Sequence, residues 1–192
     1  IIHQRADFSV SGNPTSRNFR EIPQIGGMVL VSNSDGETLK TLCKHGQVII
    51  RLKSILDTGW KQLPLLVAEI RGRTDPERFI LVNGHIDTPP YSPGATDNAS
   101  GDIALLQLAK IFQKHRDRLS LSLRFAWWTG HETGRYAGST WYNDEYWKDL
   151  RYNCVASLNI DSPGVESATD YTGARCTELL ELTMASIEQV TG

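Results

Sequence analysis

The sequence predicts an α/β fold: a mixed, mainly parallel sheet sandwiched by helices, with a small β-rich N-terminal portion. Two observations indicate this class. Short runs rich in β-branched and aromatic residues alternate with longer amphipathic segments along most of the chain. The run FILV (79–82) is apolar without interruption and is followed by Asn83, Gly84 and His85. A strand that is apolar on both faces is typical of a parallel sheet covered on both sides by helices.

The N-terminal portion contains a short strand–helix–strand pattern after a polar, turn-rich beginning. Residues 28–32 are β-rich, Asp35-Gly36 favours a turn, and residues 37–45 have apolar side chains at helical spacing. Gly46 is predicted to end that helix, and residues 48–52 are β-rich again. This pattern predicts two short strands that flank one helix.

The remainder of the chain predicts strands that alternate with helices. Strands are predicted at 65–70, 79–85, 121–128 and 155–160, and helices at 100–114, 137–150 and 177–190. The polar residues 73–77 are predicted to connect the first two strands. Trp127 and Trp128 are predicted to pack in the core rather than to line a substrate pocket. In sheets of this kind, sites lie beyond the carboxyl ends of the strands.

Composition and charge describe an ordinary globular protein and exclude several classes of partner. The 192 residues include 20 basic and 22 acidic ones, so the formal net charge is −2. This near-balance gives no reason to expect nucleic acid or an anionic membrane surface as a partner. No apolar run approaches the ~20 residues that a transmembrane helix needs. Cys43, Cys154 and Cys176 are widely spaced, which favours three buried thiols, although one disulfide and a free thiol also fit.

Residue types that bind metals follow the predicted strands. His85, Glu132 and Asp161 each come just after a strand, and Asp97 lies in the glycine-rich segment GATDNASG (94–101). Zinc takes imidazole and carboxylate ligands, and one carboxylate can offer an oxygen to each of two ions. Each of these residues alone is also a normal turn or capping residue. Together, at neighbouring strand ends, they predict a metal site.

Further polar residues lie beside these candidates in the sequence. A zinc-bound histidine usually donates its second ring N–H to an acceptor, and Asp87 is a candidate for that acceptor or for a direct neighbour of the metal. His131 precedes Glu132 directly, and each of the two could serve as ligand or proton carrier.

Asn98 and Ser100 are typical of the N-terminal turn of a helix, and Ser100 is predicted to cap the helix at 100–114.

Four motifs occur in order: GHID (84–87), PGATDNASG (93–101), RFAWWTGHETGRYAGS (124–139) and LNIDSPG (158–164). Together they resemble the M28 family of zinc aminopeptidases and carboxypeptidases. The resemblance implies a phosphorylase/hydrolase-like zinc exopeptidase fold, a peptide substrate and two zinc ions (Zn2+) per complete site. Residues 20–72 resemble the latter part of a protease-associated domain. We therefore expect a partial protease-associated-like segment at 1–63 and the N-terminal part of the peptidase domain at 64–192.

The resemblance also implies a role for each candidate residue. His85 and Asp161 would bind one zinc ion, Glu132 would bind the other, and Asp97 would bridge both. Asp87 would orient His85. The implied activity is that of a metal-dependent exopeptidase, most of all an aminopeptidase, in which two zinc ions and a metal-bound hydroxide hydrolyse peptide bonds.

Two features depart from the family pattern. The family has two adjacent glutamates, of which the first is the catalytic base, and His131 stands at that position. An uncharged imidazole can accept a proton at neutral pH, but two nearby dications would lower its pKa, and His131 could instead bind a metal. The family's last ligand is a histidine downstream of Asp161, and no histidine follows His131. We therefore expect a piece of a longer chain whose last ligand lies beyond Gly192.

Three functional interpretations stay open. The first is the metal-dependent aminopeptidase. The second, which the substitution at His131 motivates, is a catalytically impaired peptidase-like domain that serves in binding or receptor assembly. The third keeps the metal site with other chemistry, such as an acidic-dipeptide carboxypeptidase or a glutaminyl-cyclase-like reaction. The resemblance favours a secreted or exported protein, and a homodimer is compatible with it.

Overall fold

The computed structural model describes residues 2–3, 30–51, 53, 62–89, 92–132, 136–168 and 176–191. The strands in this part are β1 (Ile2–His3), β2 (Leu30–Val31), β3 (Leu66–Ile70), β4 (Asp75–His85), β5 (Leu121–Trp128) and β6 (Cys154–Asn159). The α-helices are α1 (Asn33–His45), α2 (Gly101–Lys114), α3 (Ala137–Glu145), α4 (Trp147–Asn153) and α5 (Leu180–Thr191).

The main sheet has four strands in the order β3-β5-β4-β6. The central strand β4 is parallel to both β5 and β6, whereas β3 is antiparallel to β5. The predicted mixed, mainly parallel sheet with helices is therefore confirmed. Because β4, β5 and β6 run in the same direction, their carboxyl ends lie along the same edge of the sheet. The segments that follow these strands therefore share that edge.

Two buried clusters cover opposite faces of this sheet. One contains Val82, Leu105, Phe125 and Trp127, and the other contains Phe79, Leu81, Trp128 and Tyr142. Successive side chains of a strand point to opposite faces, which explains why each tryptophan joins a different cluster. Leu105 belongs to α2 and Tyr142 to α3, so these helices cover different faces. Trp127 and Trp128 are 7% and 6% exposed, as the core prediction requires.

Arg124 of β5 ties several elements together on the face covered by α3. Its side chain is 17% exposed and donates hydrogen bonds to Glu69 of β3 at 3.0 Å and to Asp149 of α4 at 2.7 Å. It also donates to the Tyr142 hydroxyl at 3.1 Å and lies 3.7 Å from the centre of the Phe79 ring. A cation that is largely removed from water contributes to stability only while these partners remain.

We expect Arg124→Met to lower the free energy of unfolding by about 2–3 kcal/mol, because it removes charge-assisted hydrogen bonds to three partners. The matched control is Arg71→Met, since Arg71 forms an ion pair with Glu77 in which the side chains are 68% and 76% exposed. Exposed pairs contribute about 0–1 kcal/mol. Urea denaturation measures both changes, and equal losses in the two variants would contradict the structural role of Arg124.

The N-terminal portion differs from three predictions. Helix α1 begins at Asn33 rather than at Glu37, because the Ser32 hydroxyl caps it by accepting from the Asp35 amide at 3.1 Å. Asp35-Gly36 therefore lies inside the helix and forms no separate turn. Among the described residues of the second β-rich run, 48–51, none is in a strand, and Ile49 and Ile50 are 89% and 53% exposed. Strand propensity needs a neighbouring strand, and no described strand pairs with them.

The second half contains three smaller corrections. Residues 75–77 belong to β4 rather than to a connector, because Asp75 pairs with Leu121 across an irregularity that precedes Phe79. The predicted helix at 137–150 is two helices, α3 and α4, separated at Tyr146. The last predicted helix begins as a short 3₁₀ turn, Thr177–Leu179, before α5.

The cysteine and membrane expectations have different outcomes. All three cysteines are free, as favoured, but Cys43 and Cys176 are exposed rather than buried, and Cys154 is half-buried. None of the helices in the described ranges is both long enough and apolar enough to cross a membrane. The turn-rich residues 4–29 and residues 54–61 lie outside the described ranges. The domain division at residue 63 stays a prediction.

Candidate metal centre

Four predicted ligands converge at the carboxyl edge of the sheet. His85 is the last residue of β4, Glu132 follows β5, and Asp161 follows β6. Asp97 lies in the segment Ala95–Ser100 between β4 and α2, where the chain kinks and the backbone angles of Asp97 (φ −108°, ψ 96°) are not helical. From His85 Nε2, the nearest carboxylate oxygens lie at 3.0 Å for Asp97, 3.6 Å for Asp161 and 4.0 Å for Glu132.

The polar atoms at the centre of this cluster fit a bound cation. His85 is 2% exposed, and both its Nε2 and Asp97 Oδ1 are buried without a hydrogen-bond partner in the described residues. Buried polar atoms in proteins are normally paired, and carboxylates this close together repel one another. The group His85, Asp97 and Glu132 has ligand atoms that all lie within 4.8 Å of one another. Imidazole with carboxylates is a donor set that zinc accepts.

Electrostatics at Glu132 also indicate crowded negative charge. Burial raises the pKa of Glu132, and the neighbouring Asp97 carboxylate raises it further. His85 lowers this pKa but does not outweigh the two effects. A divalent cation between the two carboxylates would favour their charged forms and reverse this shift.

Asp87 contacts both His85 and the main chain at Glu132, but the atom that contacts His85 is not the expected carboxylate. The main-chain carbonyl of Asp87, not its carboxylate, lies 2.8 Å from His85 Nδ1. Since a carbonyl oxygen only accepts, Nδ1 donates in this contact, and Nε2 is the ring nitrogen that faces the cluster. The Asp87 carboxylate instead accepts from the amides of His131 at 3.0 Å and Glu132 at 2.9 Å.

His131 lies face to face with His85. The two rings have centroids 4.0 Å apart and planes 9° apart, and the edge of Tyr136 packs against His131 at 4.5 Å. Burial lowers the pKa of His131 and the nearby His85 lowers it further, whereas the surrounding aspartates oppose the shift. An ion bound by an imidazole lies near the plane of its ring. Nearly parallel stacked rings therefore share one ion only after one of them turns.

Comparison with known proteins shows the family of the chain. The sequence model described as Peptidase family M28 matches residues 66–190. The chain belongs to peptidase family M28. It is 32% identical over 168 residues to a protein of Trichophyton verrucosum named "Probable leucine aminopeptidase 2", a match that covers 85% of this chain and 32% of the relative. It is also 31% identical over 115 residues to a "Probable zinc metalloprotease" of Pyrenophora tritici-repentis. That match covers 56% of this chain and 26% of the relative.

A solved structure agrees with the fold. The Peptidase M28 precursor from Shewanella amazonensis aligns with a TM-score of 0.50 and 20% identity, over 69% of this chain and 30% of that one.

The chain spans about a third of the length of the curated leucine aminopeptidases it matches. Residues 133–135, which follow Glu132, lie outside the described part.

The M28 motif around Asp97 is held by its neighbours rather than by a helix cap. Gly94 has a φ of +68°, and a Cβ atom there would lie 2.8 Å from Thr88 Oγ1, which donates to the Asp97 carbonyl at 2.9 Å. The predicted capping bond of Ser100 is absent. Its hydroxyl donates instead to the Thr96 carbonyl at 2.7 Å and accepts from the Gly164 amide at 3.2 Å. Ser100 therefore connects the segment that carries Asp97 with the segment that follows Asp161.

Proposed function

We propose that the protein is a metal-dependent exopeptidase, specifically an aminopeptidase that uses two zinc ions. One observation carries the proposal: His85 Nε2 and Asp97 Oδ1, both buried and lacking a hydrogen-bond partner among the described residues, meet at 3.0 Å where two more carboxylates converge. Membership of peptidase family M28 supports a peptide substrate. The names of the relatives, leucine aminopeptidase and zinc metalloprotease, support the aminopeptidase class and the metal.

In this proposal His85 and Asp161 would hold one ion, Glu132 would hold a second, and Asp97 would contribute to both. Bound dications would polarise the scissile carbonyl and lower the pKa of water at the site. The chain's own contribution is preorganisation. The Asp87 carbonyl sets the orientation of His85, and the Asp87 carboxylate fixes the amide of Glu132. We propose that the last ligand, a histidine, comes from the remainder of the full-length protein.

The choice of an aminopeptidase over the alternative carboxypeptidase rests on the relatives, several of which are named leucine aminopeptidase. The charge of the cluster does not separate the two classes, because two bound dications would exceed the three negative charges of Asp97, Glu132 and Asp161.

The position of His131 supports a second candidate, a peptidase-like domain that binds peptides or a partner without hydrolysing them. The M28 pattern has a carboxylate base there, and the imidazole of His131 is stacked on a proposed ligand. In this second candidate the metals would organise a binding surface.

Metal content and turnover, measured on the full-length protein, separate the two candidates. We expect two zinc ions per protein molecule and release of a chromogenic leaving group from an aminoacyl substrate. A chelator should abolish this release, and zinc should restore it. An N-acetylated substrate is the matched control and should resist cleavage. Two bound zinc ions without turnover would favour the binding domain, and a metal-free protein would overturn the metal site itself.

Two other expectations remain proposals. We propose that the protein is secreted or exported, on the strength of the resemblance of residues 20–72 to a protease-associated domain. A homodimer is the proposed assembly. Fractionation of the source cells and light scattering of the purified full-length protein test these two statements separately.

A further inference from the structure

Asn98 is a buried residue that connects segments bearing the proposed ligands. It is 1% exposed and directly follows Asp97. Its Nδ2 donates to the carbonyls of His85 at 3.0 Å and Ile160 at 3.2 Å. Its Oδ1 accepts from the amide of Ser162 at 3.0 Å. The side chain thus uses both ends of its amide group.

These contacts reach three of the four proposed ligands through the main chain. One bond ends on His85 itself, and the other two end on the residues immediately before and after Asp161. Since Asn98 is covalently next to Asp97, a single rigid amide group relates all three positions. Glu132 is held independently, because its amide bonds to the Asp87 carboxylate.

Two neighbouring glycines make room for the side-chain amide of Asn98. A Cβ atom at Gly101 would lie 2.3 Å from Asn98 Oδ1, and one at Gly84 would lie 2.7 Å from the Ile160 carbonyl and 3.2 Å from Asn98 Nδ2. Gly101 has ordinary helical angles, φ −68° and ψ −42°, so its backbone does not require glycine. The contact with Asn98 is what excludes a side chain there.

We propose that Asn98 is a positioning residue for the metal centre: it fixes the separations among His85, Asp97 and Asp161 and so sets the affinity for the ion they share. This inference rests on the proposed metal site. Residues that orient metal ligands typically change metal affinity about 10–100-fold when they are replaced. Asn98 has this effect on the ion at His85, while Glu132 keeps its position through Asp87.

The chain offers a matched control in Asn83. This residue is 6% exposed, and its Nδ2 donates to Ser157 Oγ at 2.9 Å and to the Leu158 carbonyl at 3.3 Å. Its Oδ1 accepts from Trp128 Nε1 at 2.9 Å. Asn83 therefore also links β4, β5 and β6 through three partners, but none of these partners among the described residues is adjacent to a proposed ligand.

The experiment compares Asn98→Ala and Asn83→Ala in the full-length protein. Competition with a chromogenic chelator gives the zinc dissociation constants, circular dichroism reports folding, and visible absorption of the cobalt(II) form reports ligand geometry. We expect Asn98→Ala to raise the dissociation constant of one zinc ion about 10–100-fold and to change the absorption spectrum of the cobalt(II) form. Asn83→Ala should lose stability and keep the zinc constants and the spectrum of the unmodified protein. Wild-type zinc constants in Asn98→Ala would overturn the inference, and so would equal weakening in Asn83→Ala.

Gly101→Ala keeps the test decisive if Asn98→Ala fails to fold. Alanine is favourable in a helix, so the local effect of this change is to displace Asn98. We expect weaker zinc binding in Gly101→Ala and no further loss when Asn98→Ala is added to it. Normal zinc binding in Gly101→Ala would overturn the positioning role. An unmodified protein that binds no zinc would instead overturn the proposed metal site, so the two failures can be told apart.

Discussion

Asp97→Ala should reduce kcat/KM for an aminoacyl substrate by at least about 10³-fold, which corresponds to about 4 kcal/mol of transition-state stabilisation. The proposed role of Asp97 is to bridge two ions, so its removal weakens both. We expect the zinc content of the purified protein to fall in parallel, as measured by atomic absorption. Restoring excess zinc in the assay should recover only part of the activity, because the bridging oxygens are absent.

The fold should survive this substitution. The Asp97 side chain is 41% exposed, and its Oδ1 has no hydrogen-bond partner in the described residues. The contact from Thr88 goes to the Asp97 main chain and is retained. In the metal-free protein the change also removes a charge that raises the pKa of Glu132. The free energy of unfolding without metal should therefore change by less than about 1 kcal/mol.

Two control variants complete this prediction. Asp97→Asn keeps the shape of the side chain and removes its charge, so it should lose nearly as much activity as alanine. Asp144→Ala removes an exposed carboxylate from α3 and should leave kcat/KM unchanged. A protein with Asp97→Ala that hydrolyses peptides at the original rate would contradict the bridging role.

The sequence was sufficient to predict the sheet and the four-residue cluster for one physical reason. Parallel strands end at the same edge, so His85, Glu132 and Asp161 had to lie near one another once β4, β5 and β6 were recognised. The apolar runs that predict these strands are local features. The convergence of residues far apart in the chain then follows from strand direction alone.

The sequence could not predict which atoms make the supporting contacts. Asp87 was expected to use its carboxylate on His85, but its carbonyl makes that contact. The local sequence indicates only a turn residue at Asn98. Its hydrogen bonds to Ile160 and Ser162 depend on the fold, because these partners lie more than 60 residues away in the chain. The strand prediction at 48–52 is wrong for the described residues 48–51 for the same kind of reason, since strand propensity does not supply a neighbouring strand.

His131→Glu should raise kcat for an aminoacyl substrate at least tenfold. A general base contributes about 10²–10⁴-fold, and burial and His85 already lower the pKa of His131. Bound dications would lower it further, which leaves a poor proton acceptor. A carboxylate would be attracted to the same ions and would need no release from the ring stack with His85. Steady-state kinetics at saturating zinc measure the change.

His131→Gln is the matched control, because glutamine has the size of glutamate without its basicity. If His131 acts as a weak base, glutamine should lower kcat while glutamate raises it, with two zinc ions bound in each protein. Loss of zinc from both variants would show instead that His131 is a ligand, as its grouping with His85 and Asp161 permits once its ring turns out of the stack. A fall in kcat for His131→Glu with both ions retained would assign the imidazole a role that a carboxylate cannot replace. That result would separate this chain's chemistry from the glutamate-based mechanism that the M28 resemblance implies.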